Sequence, residues 1–294
     1  MKKPFLSVVI PNYNHGAYLE NCLHSVLHEA VDDMEIFIID DASTDNSLEI
    51  LEKIAKKSSF ITLIRNQSNK GVNASLNSVL HQIRGEYFFG LAADDFILPG
   101  FFKRALSLLK AHPHVALCCS DFAYFYKSDK SQIEVKSLIQ TNEPYLILSP
   151  EKTLQLFKDT NFWIPGHTSI VRTQYLRKYG GFREKIKSAS DFYLVHKIAL
   201  TYPIVYIPEG LSAMRVLSSS YSAQCSANRV VRREKSQNLL NLILSDPCKK
   251  KFQQSTVLGW AIKDLFPFIL FLPKYWGFLP PFFIKITKRR LRIG

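Results

Sequence analysis

What most constrains this chain is the alternation, through its first third, of short apolar runs with stretches of helical periodicity, each run ending in polar residues. Residues 6–10, 35–39, 61–64, 87–91 and 115–118 are rich in β-branched and aromatic side chains and too short to stand as helices, so they read as strands. Between them Leu19, Leu23, Val26 and Leu27 recur at helical spacing, as do Leu76, Val79, Leu80 and Ile83, and then Phe101, Phe102, Ala105, Leu106 and Leu109. This order predicts an α/β fold with a mostly parallel sheet flanked by helices, because right-handed crossovers return each strand in the same direction. The carboxyl ends of such strands share one edge, and ligands bind in the crevice beside it. The polar residues fall there: Pro11-Asn12-Tyr13-Asn14 after the first strand, Asp40-Asp41-Ala42-Ser43-Thr44-Asp45 after the second, Arg65-Asn66 after the third, and Ala92-Ala93-Asp94-Asp95 after the fourth.

With 294 residues, 47% of them hydrophobic and 21% charged, the chain can bury a substantial core, and disorder is excluded. A formal net charge of +13 asks for an anionic partner, and nucleotide diphosphates, nucleic acid and an anionic membrane face all qualify. The basic residues gather beside an aromatic tail rather than in a nucleic-acid motif, so no nucleic acid is expected. Neither Gly-rich phosphate-loop pattern is present, which argues against a kinase or a dehydrogenase. Five cysteines, an odd count with no CxxC pair, fit a reducing cytoplasm. The apolar stretch behind Lys2 and Lys3 is broken at Pro11, too early for a signal peptide, so the mature chain is expected to begin near Met1.

Several carboxylates have two readings each. Asp41 can accept hydrogen bonds from a nucleobase edge, or it can join Asp40, Ser43 and Asp45 in turn and cap contacts for the helix that follows. Asp94 and Asp95 either form a solvated turn before Pro99 or bind Mg²⁺ or Mn²⁺, whose shell one or two carboxylates and substrate phosphates would complete. Asp191 opens a helical pattern running through Leu194, Val195 and Ile198, where it is either a cap or a general base that takes a proton from an attacking hydroxyl. His167 could contact acceptor or phosphate, or be packed; Trp163 could stack on a sugar ring or sit in the core. His196 and the pair Cys118-Cys119 read as structural.

Taken in order, these segments resemble family 2 glycosyltransferases, whose nucleotide-binding fold is called GT-A, over most of residues 5–220. Residues 7–14 resemble the family's opening strand, residues 39–45 its Asp-Asp-Gly-Ser segment, and Asn69-Lys70-Gly71 through Asn77 its Asn-x-Gly…Asn element. Leu91-Ala92-Ala93-Asp94-Asp95 with Leu98-Pro99-Gly100 is similar to the metal-site strand and helix start, and Gly180-Gly181-Phe182 with Ser190-Asp191 to the region around the family's base. The resemblance implies an inverting transferase that moves a sugar from a nucleotide diphosphate donor, with uridine as the expected base, to a hydroxyl acceptor in cell-surface polysaccharide or lipopolysaccharide assembly. It implies donor contacts from Pro11, Tyr13, Asn14, Asp41, Asn69, Gly71, Ala93 and Asp94, a divalent Mn²⁺ or Mg²⁺ at Asp94 and Asp95, catalysis by Asp191, and an acceptor side that includes Trp163 and His167. Three positions depart from the pattern: Ala92 where the Asp-x-Asp motif has its first aspartate, Ser190 in place of a glutamate, and Leu217 in place of a histidine. Weakened or water-completed metal coordination is expected from them. The rival reading is a non-catalytic sugar-nucleotide or glycan-binding protein on the same fold.

The expected organisation is a transferase domain over residues 1–220, its donor half about 1–125 and acceptor half about 145–220, joined by a polar loop from Lys127 to Pro144. A helical segment follows over 221–294. Its end carries Phe266, Phe268, Phe271, Trp276, Phe282 and Phe283, broken by prolines and closed by Lys285, Lys288, Arg289, Arg290 and Arg292. No apolar run reaches the ~18 residues of a spanning helix. Aromatic residues with a basic flank predict a cytoplasmic protein peripheral on the inner face of the plasma membrane, bound to the anionic surface beside a lipid-linked or other glycan acceptor. The alternative is that the tail packs on its own domain or on a second copy in a homodimer.

Overall fold

A computed structural model describes residues 4–31, 33–56, 60–126, 132–266 and 268–280. The strands are β1 (Leu6–Asn12), β2 (Met34–Asp40), β3 (Ile61–Arg65), β4 (Tyr87–Gly90), β5 (Phe96–Ile97), β6 (Leu117–Tyr126), β7 (Glu134–Lys136), β8 (Leu146–Leu148), β9 (Ile170–Arg172) and β10 (Ile204–Val216). They form one sheet in the order β3-β2-β1-β4-β9-β6-β10-β5, with β7 paired to β6 and β8 to β10. The six longest strands all run in one direction, and the four antiparallel ones have two or three residues each. The mostly parallel α/β architecture expected from the strand pattern is therefore present.

The helices are α1 (Gly16–His28), α2 (Ser47–Ala55), α3 (Val72–Ser78), α4 (Phe101–Ala111), α5 (Pro150–Asp159), α6 (Thr173–Lys178), α7 (Ser190–Ala199), α8 (Tyr221–Ala227), α9 (Arg229–Leu244), α10 (Lys249–Gln254) and α11 (Gly259–Leu265). Side chains alternate across a strand, so β1 sends Val8 and Ile10 into one apolar layer and Val9 into the other. The first layer takes Leu19 and Leu23 of α1 and Phe101, Ala105 and Leu109 of α4. The second takes Leu76 of α3 and Leu194 and Ile198 of α7, and it continues without a break into Leu239, Ile243, Phe252 and Ile262 of the C-terminal helices.

Two features differ from the sequence reading, both because pairing partners lie far away in the chain. The strand expected at 115–118 continues to Tyr126, held between β10 and, through residues 134–136 of the expected polar loop, β7. Residues 127–131 of that loop lie outside the described residues. Strand β10, which the sequence reading did not place, runs through Pro208 and Gly210 by register shifts between Ile207 and Gly210 and between Gly210 and Ala213. His196 is buried in the core as expected, with Nδ1 bonded to the Phe192 carbonyl at 2.7 Å and Nε2 accepting the Ile164 N–H at 3.3 Å.

One buried ion pair fastens the C-terminal helices to α7. Asp246 accepts from Lys197 Nζ at 2.6 Å, from the Tyr193 hydroxyl and from the Cys248 N–H at 2.7 Å. Burial pushes its carboxyl up, but the bonds from Lys197 and Tyr193 outweigh that and hold it below the ordinary carboxylate value. A carboxylate depressed in the folded state contributes stability above its unfolded pKa of about 3.9 and loses it as pH falls through the folded value. Urea unfolding is expected to find Asp246→Ala about 3 kcal/mol less stable at neutral pH, with the difference shrinking in acid; an equal loss at all pH values would contradict this ion-pair account.

Candidate active site

The carboxyl ends of β1, β2, β3 and β4 lie side by side, and each carries polar residues that the fold must satisfy. Asp40 accepts from Asn12 Nδ2 at 3.0 Å and from the Ser43 N–H at 3.1 Å, closing the turn after β2. Asp41 is buried, and its Oδ1 accepts from Asn66 Nδ2 at 2.7 Å and the Lys70 N–H at 2.9 Å, while Oδ2 accepts the Gly71 N–H at 2.8 Å. A carboxylate offers about four acceptor sites, so roughly one is left for a ligand. Gly71 holds φ at 86°, where a side chain would be strained, and Asn69 Oδ1 also accepts its N–H at 3.0 Å. Asp45 bonds the Ser47 N–H at 3.0 Å and the Gly16 N–H at 2.9 Å, so one carboxylate serves the starts of two helices, as its cap reading anticipates.

Around this frame, Asn14 sits in the left-handed region at φ 56° and its Oδ1 accepts the Thr44 N–H at 2.7 Å, so it braces the β2 turn. Tyr13 is exposed at the rim, and Pro11 pairs with Ile39 inside the sheet. Ala93 points its methyl into the core, which leaves only its backbone toward the rim. Asn12 Oδ1 is buried without a partner among the described residues, a polar group at the rim that the sequence reading passed over.

Asp94 and Asp95 are buried together at the end of the loop after β4. Burial, and then the charge of Asp94, push the Asp95 carboxyl well above its usual range, although the Arg215 N–H donates to its Oδ1 at 2.8 Å. Arg215 also donates from Nε to the Asp94 carbonyl at 3.1 Å and stacks between the rings of Tyr18 and Phe125, 4.3 and 4.5 Å from their centroids. Two crowded carboxylates are hard oxygen donors of the kind that suits Mg²⁺ or Mn²⁺, which keep waters and take one or two carboxylates with substrate phosphates. No group of three or more His, Cys, Asp or Glu suited to a metal occurs among the described residues, so the pair would need water and phosphate to complete a shell.

Asp191 lies in the first turn of α7 with its side chain open to solvent. Protein crowds it closely enough that desolvation raises its pKa, while the Phe192 N–H and the charge of Lys235 pull the other way. Gly166 of the Pro165-Gly166-His167 turn packs against it so tightly that an added Cβ would stand 2.0 Å from Oδ2. His167 lies beside the backbones of Ala123 and Ser212; burial pushes its pKa down to about 4, which keeps the imidazole neutral, and Nε2 has no partner among the described residues. Trp163 is half-buried, 5.5 Å from the ring of Phe122.

Two amide side chains tie Asp191 to the opposite end of the rim. Asn77 clamps Phe182 through its backbone, with Nδ2 donating to the carbonyl at 2.7 Å and Oδ1 accepting the N–H at 2.8 Å, and Asn73 Nδ2 donates to the Lys187 carbonyl at 2.9 Å. Both sit on α3, whose first turn follows the Gly71 that Asp41 holds. Asp41 and Asp191 are thus joined through one short helix. Lys235, buried on α9 with Nζ 3.3 Å from Ser188 Oγ, escaped the sequence reading because its position behind Asp191 depends on how the C-terminal helices pack.

A mostly parallel sheet with these polar groups along its carboxyl edge defines an α/β protein of the GT-A kind. The sequence pattern of glycosyl transferase family 2 matches residues 7–180, more than half of the chain, and the protein belongs to that family and is a glycosyltransferase. The chain is 28% identical over 204 residues to a chondroitin synthase of Escherichia coli, an alignment covering 69% of this chain and only 28% of the synthase. Its fold is similar to residues 1–349 of TarS from S. aureus, solved with UDP-GlcNAc, at a TM-score of 0.65 and 21% identity, covering 90% of this chain and 73% of that one. It is also similar to a mannosyltransferase from Pyrobaculum calidifontis solved with GDP-Man and Mn²⁺, at a TM-score of 0.60 and 18% identity, covering 100% and 82%.

The contact between Gly166 and Asp191 makes a direct prediction. Gly166→Ala must displace the carboxylate, and nucleotide release from a sugar donor is expected to fall about a hundredfold with little change in melting temperature. Unaltered turnover would show that the position of this carboxylate is immaterial.

Proposed function

We propose that the protein is an inverting transferase that moves a sugar from a nucleotide diphosphate, with uridine as the base, to a hydroxyl acceptor in assembly of a cell-surface polysaccharide or lipopolysaccharide. The observation that carries this reading is Asp191, a solvent-reaching carboxylate at a helix start, seated against the bare backbone of Gly166 and linked through α3 to the loop that holds Asp41. In this reading Pro11, Tyr13, Asn14, Asp41, Asn69, Gly71 and the backbone of Ala93 frame the nucleoside and diphosphate. Trp163 and His167 flank the acceptor. Asp191 accepts the proton of the acceptor hydroxyl as its oxygen bonds to the anomeric carbon; the bond from that carbon to the diphosphate breaks on the opposite face, and the electron pair leaves with the diphosphate. Asp94, with Asp95 beside it, would hold a divalent cation, Mn²⁺ or Mg²⁺, which would supply positive charge to the diphosphate leaving group. The raised pKa suits the role, because a more basic carboxylate takes a proton more readily provided it is ionised at the working pH.

Residues 1–220 carry the transfer in this proposal, and residues 221–294 brace it and meet the membrane. Five of the twelve exposed large hydrophobic residues among the described residues, Phe266, Phe268, Leu270, Phe271 and Trp276, crowd into eleven positions, while Tyr275 and Phe278 between and beyond them are buried against the domain. Arg233 lies over Phe268 at 4.7 Å. The basic cluster from Lys285 to Arg292 follows in sequence and lies outside the described residues. No helix among the described residues is long and apolar enough to cross a membrane. Rings beside cations suit the headgroup layer of an anionic leaflet, which favours a peripheral enzyme on the inner face of the plasma membrane acting on a lipid-linked or other glycan acceptor.

A panel of sugar nucleotides scored by nucleotide release, with and without Mn²⁺, tests the chemistry. Asp191→Asn is expected to lower turnover roughly 10²- to 10⁴-fold; release from no donor would favour a binding protein instead. The rate should fall in acid with a midpoint above the ~3.9 of an ordinary aspartate. Because the charge of Lys235 lowers the pKa of Asp191, Lys235→Met should move that midpoint to higher pH. For the tail, flotation should recover the protein with phosphatidylglycerol vesicles and much less with phosphatidylcholine, and the double substitution Phe271→Ser, Trp276→Ser should release it. Equal recovery with both lipids would overturn the anionic-surface reading, and a loss of self-association in place of a loss of lipid binding would assign the patch to a homodimer.

A further inference from the structure

Four non-glycine residues hold φ above zero among the described residues, and one of them, Lys187, lies on the loop that leads into Asp191. Its φ of 48° and ψ of −126° are those of the first central position of a type II′ turn, which glycine adopts freely and a residue with a side chain does not. A Cβ crowds the neighbouring backbone there, so the conformation persists only where the surroundings impose it. The lysine side chain does not impose it: it is partly exposed, and its Nζ stands 4.0 Å from the Glu234 carboxylate, at the outer limit of an ion pair.

The main chain is held instead. A carbonyl has two acceptor sites, and at Lys187 two donors from different elements meet them: the N–H of Ser190, the residue before Asp191, and Asn73 Nδ2 at 2.9 Å. Asn73 is buried in the first turn of α3, two residues after the Gly71 whose N–H Asp41 accepts, so it sits on an element fixed from the other end of the rim. Other bonds act to either side of the strained residue. Asn238 donates to the Lys185 carbonyl at 3.0 Å, Lys235 reaches Ser188 Oγ at 3.3 Å, and Ser190 Oγ accepts the Arg183 N–H at 2.5 Å. Of the two donors on the Lys187 carbonyl, the Ser190 N–H belongs to the same stretch of chain and moves with it; Asn73 is the one anchored elsewhere.

We infer that Asn73 is a positioning residue of the transfer: by capturing the Lys187 carbonyl it holds the strained turn, and the turn sets where α7 begins and therefore where Asp191 stands. The inference rests on the reading of Asp191 as the base and adds the group that places it from the donor side. Without the amide the turn relaxes by rotation of the Lys187 peptide, and the Ser190 N–H loses its acceptor. The carboxylate then leaves the line of the attacking hydroxyl, where small displacements cost much of the rate. A glycine at 187 holds the same φ and ψ without strain, so with it the amide has little left to do.

A pair of substitutions in the full chain separates this role from a packing contribution of the amide. Asn73→Ala is expected to lower kcat for nucleotide release from a sugar donor roughly 5- to 50-fold, with the donor KM within about twofold of the wild type. Adding Lys187→Gly should return kcat to within about threefold of the wild type, because the turn then forms unaided. Asn73→Asp keeps the shape and suits the first turn of a helix but offers no donor when ionised, so it should lose kcat at least as far, and it carries the test if the alanine variant does not fold. The inference is overturned if a folded Asn73 variant turns over as the wild type does, if the loss appears in the donor KM and not in kcat, or if Lys187→Gly restores nothing to Asn73→Ala. Any of these beside a wild type that releases nucleotide defeats the positioning role alone. A wild type that releases none from any donor defeats the transferase reading, and the inference with it.

Discussion

A carboxylate taken out of water has to be met by donors, and at the carboxyl edge of this sheet that requirement organises the loops. Asp40 draws in Asn12 and the Ser43 N–H, Asp41 gathers Asn66, Lys70 and Gly71, and Asp45 joins the first turns of α1 and α2. Each bond joins segments that neighbour in space and not in sequence. The rim is consequently a set of loops held in place by two buried carboxylates, Asp40 and Asp41, and by the exposed Asp45 that joins two helix starts. The same requirement explains why Asp95 stands out: burial and Asp94 both oppose its ionisation, and the Arg215 N–H and guanidinium charge oppose that shift without cancelling it.

The parts of this arrangement that are local in sequence are legible there. Strands β1 to β4 announce themselves by short β-branched runs, and the acidic residues stand where a parallel sheet needs its ends polar. The helical faces of α1 and α4 are visible as repeats of apolar residues and are buried as expected, whereas of the repeat Leu76, Val79, Leu80 and Ile83 only Leu76 lies in α3, which ends at Ser78, and the others pack from the turns that follow. What sequence hides is long-range pairing. Nothing near residues 170–172 says that three residues will insert antiparallel between β4 and β6, and Pro208 disguises the longest strand of the sheet. Lys235 and the outer half of β6 were invisible for the same reason: one acts across the packing of α9 on the loop before α7, and the other forms only when β7 and β10 fix β6 past residue 118.

The C-terminal helices occupy an intermediate position between brace and appendage. Their apolar faces complete the core that α7 lines, and Asp246 reaches back to Lys197 and Tyr193 on that same helix. Because Asp191 stands in the first turn of α7, anything that loosens this packing also loosens the proposed base. The exposed rings at 266–276 lie on the same segment, so whatever covers them is mechanically continuous with the site through α11, α9 and Lys235.

The three departures from the family pattern follow a physical logic once the bonds are traced. Ser190 accepts the Arg183 N–H at 2.5 Å and so still fixes the loop that precedes Asp191, although it brings no charge. Ala92 keeps the loop after β4 through its carbonyl, which takes the Asp95 N–H at 3.0 Å and the Cys22 thiol at 3.6 Å; that function belongs to the backbone and survives any side chain. Leu217 lies just past the end of β10, two residues beyond the Arg215 that engages both Asp94 and Asp95. At these positions the loops are held by main-chain groups, by the amides of Asn73 and Asn77, and by the stacked guanidinium of Arg215, none of which needs a charged side chain at 92, 190 or 217. A scaffold held in that way lets its rim chemistry vary without losing the alignment of the carboxylates that remain.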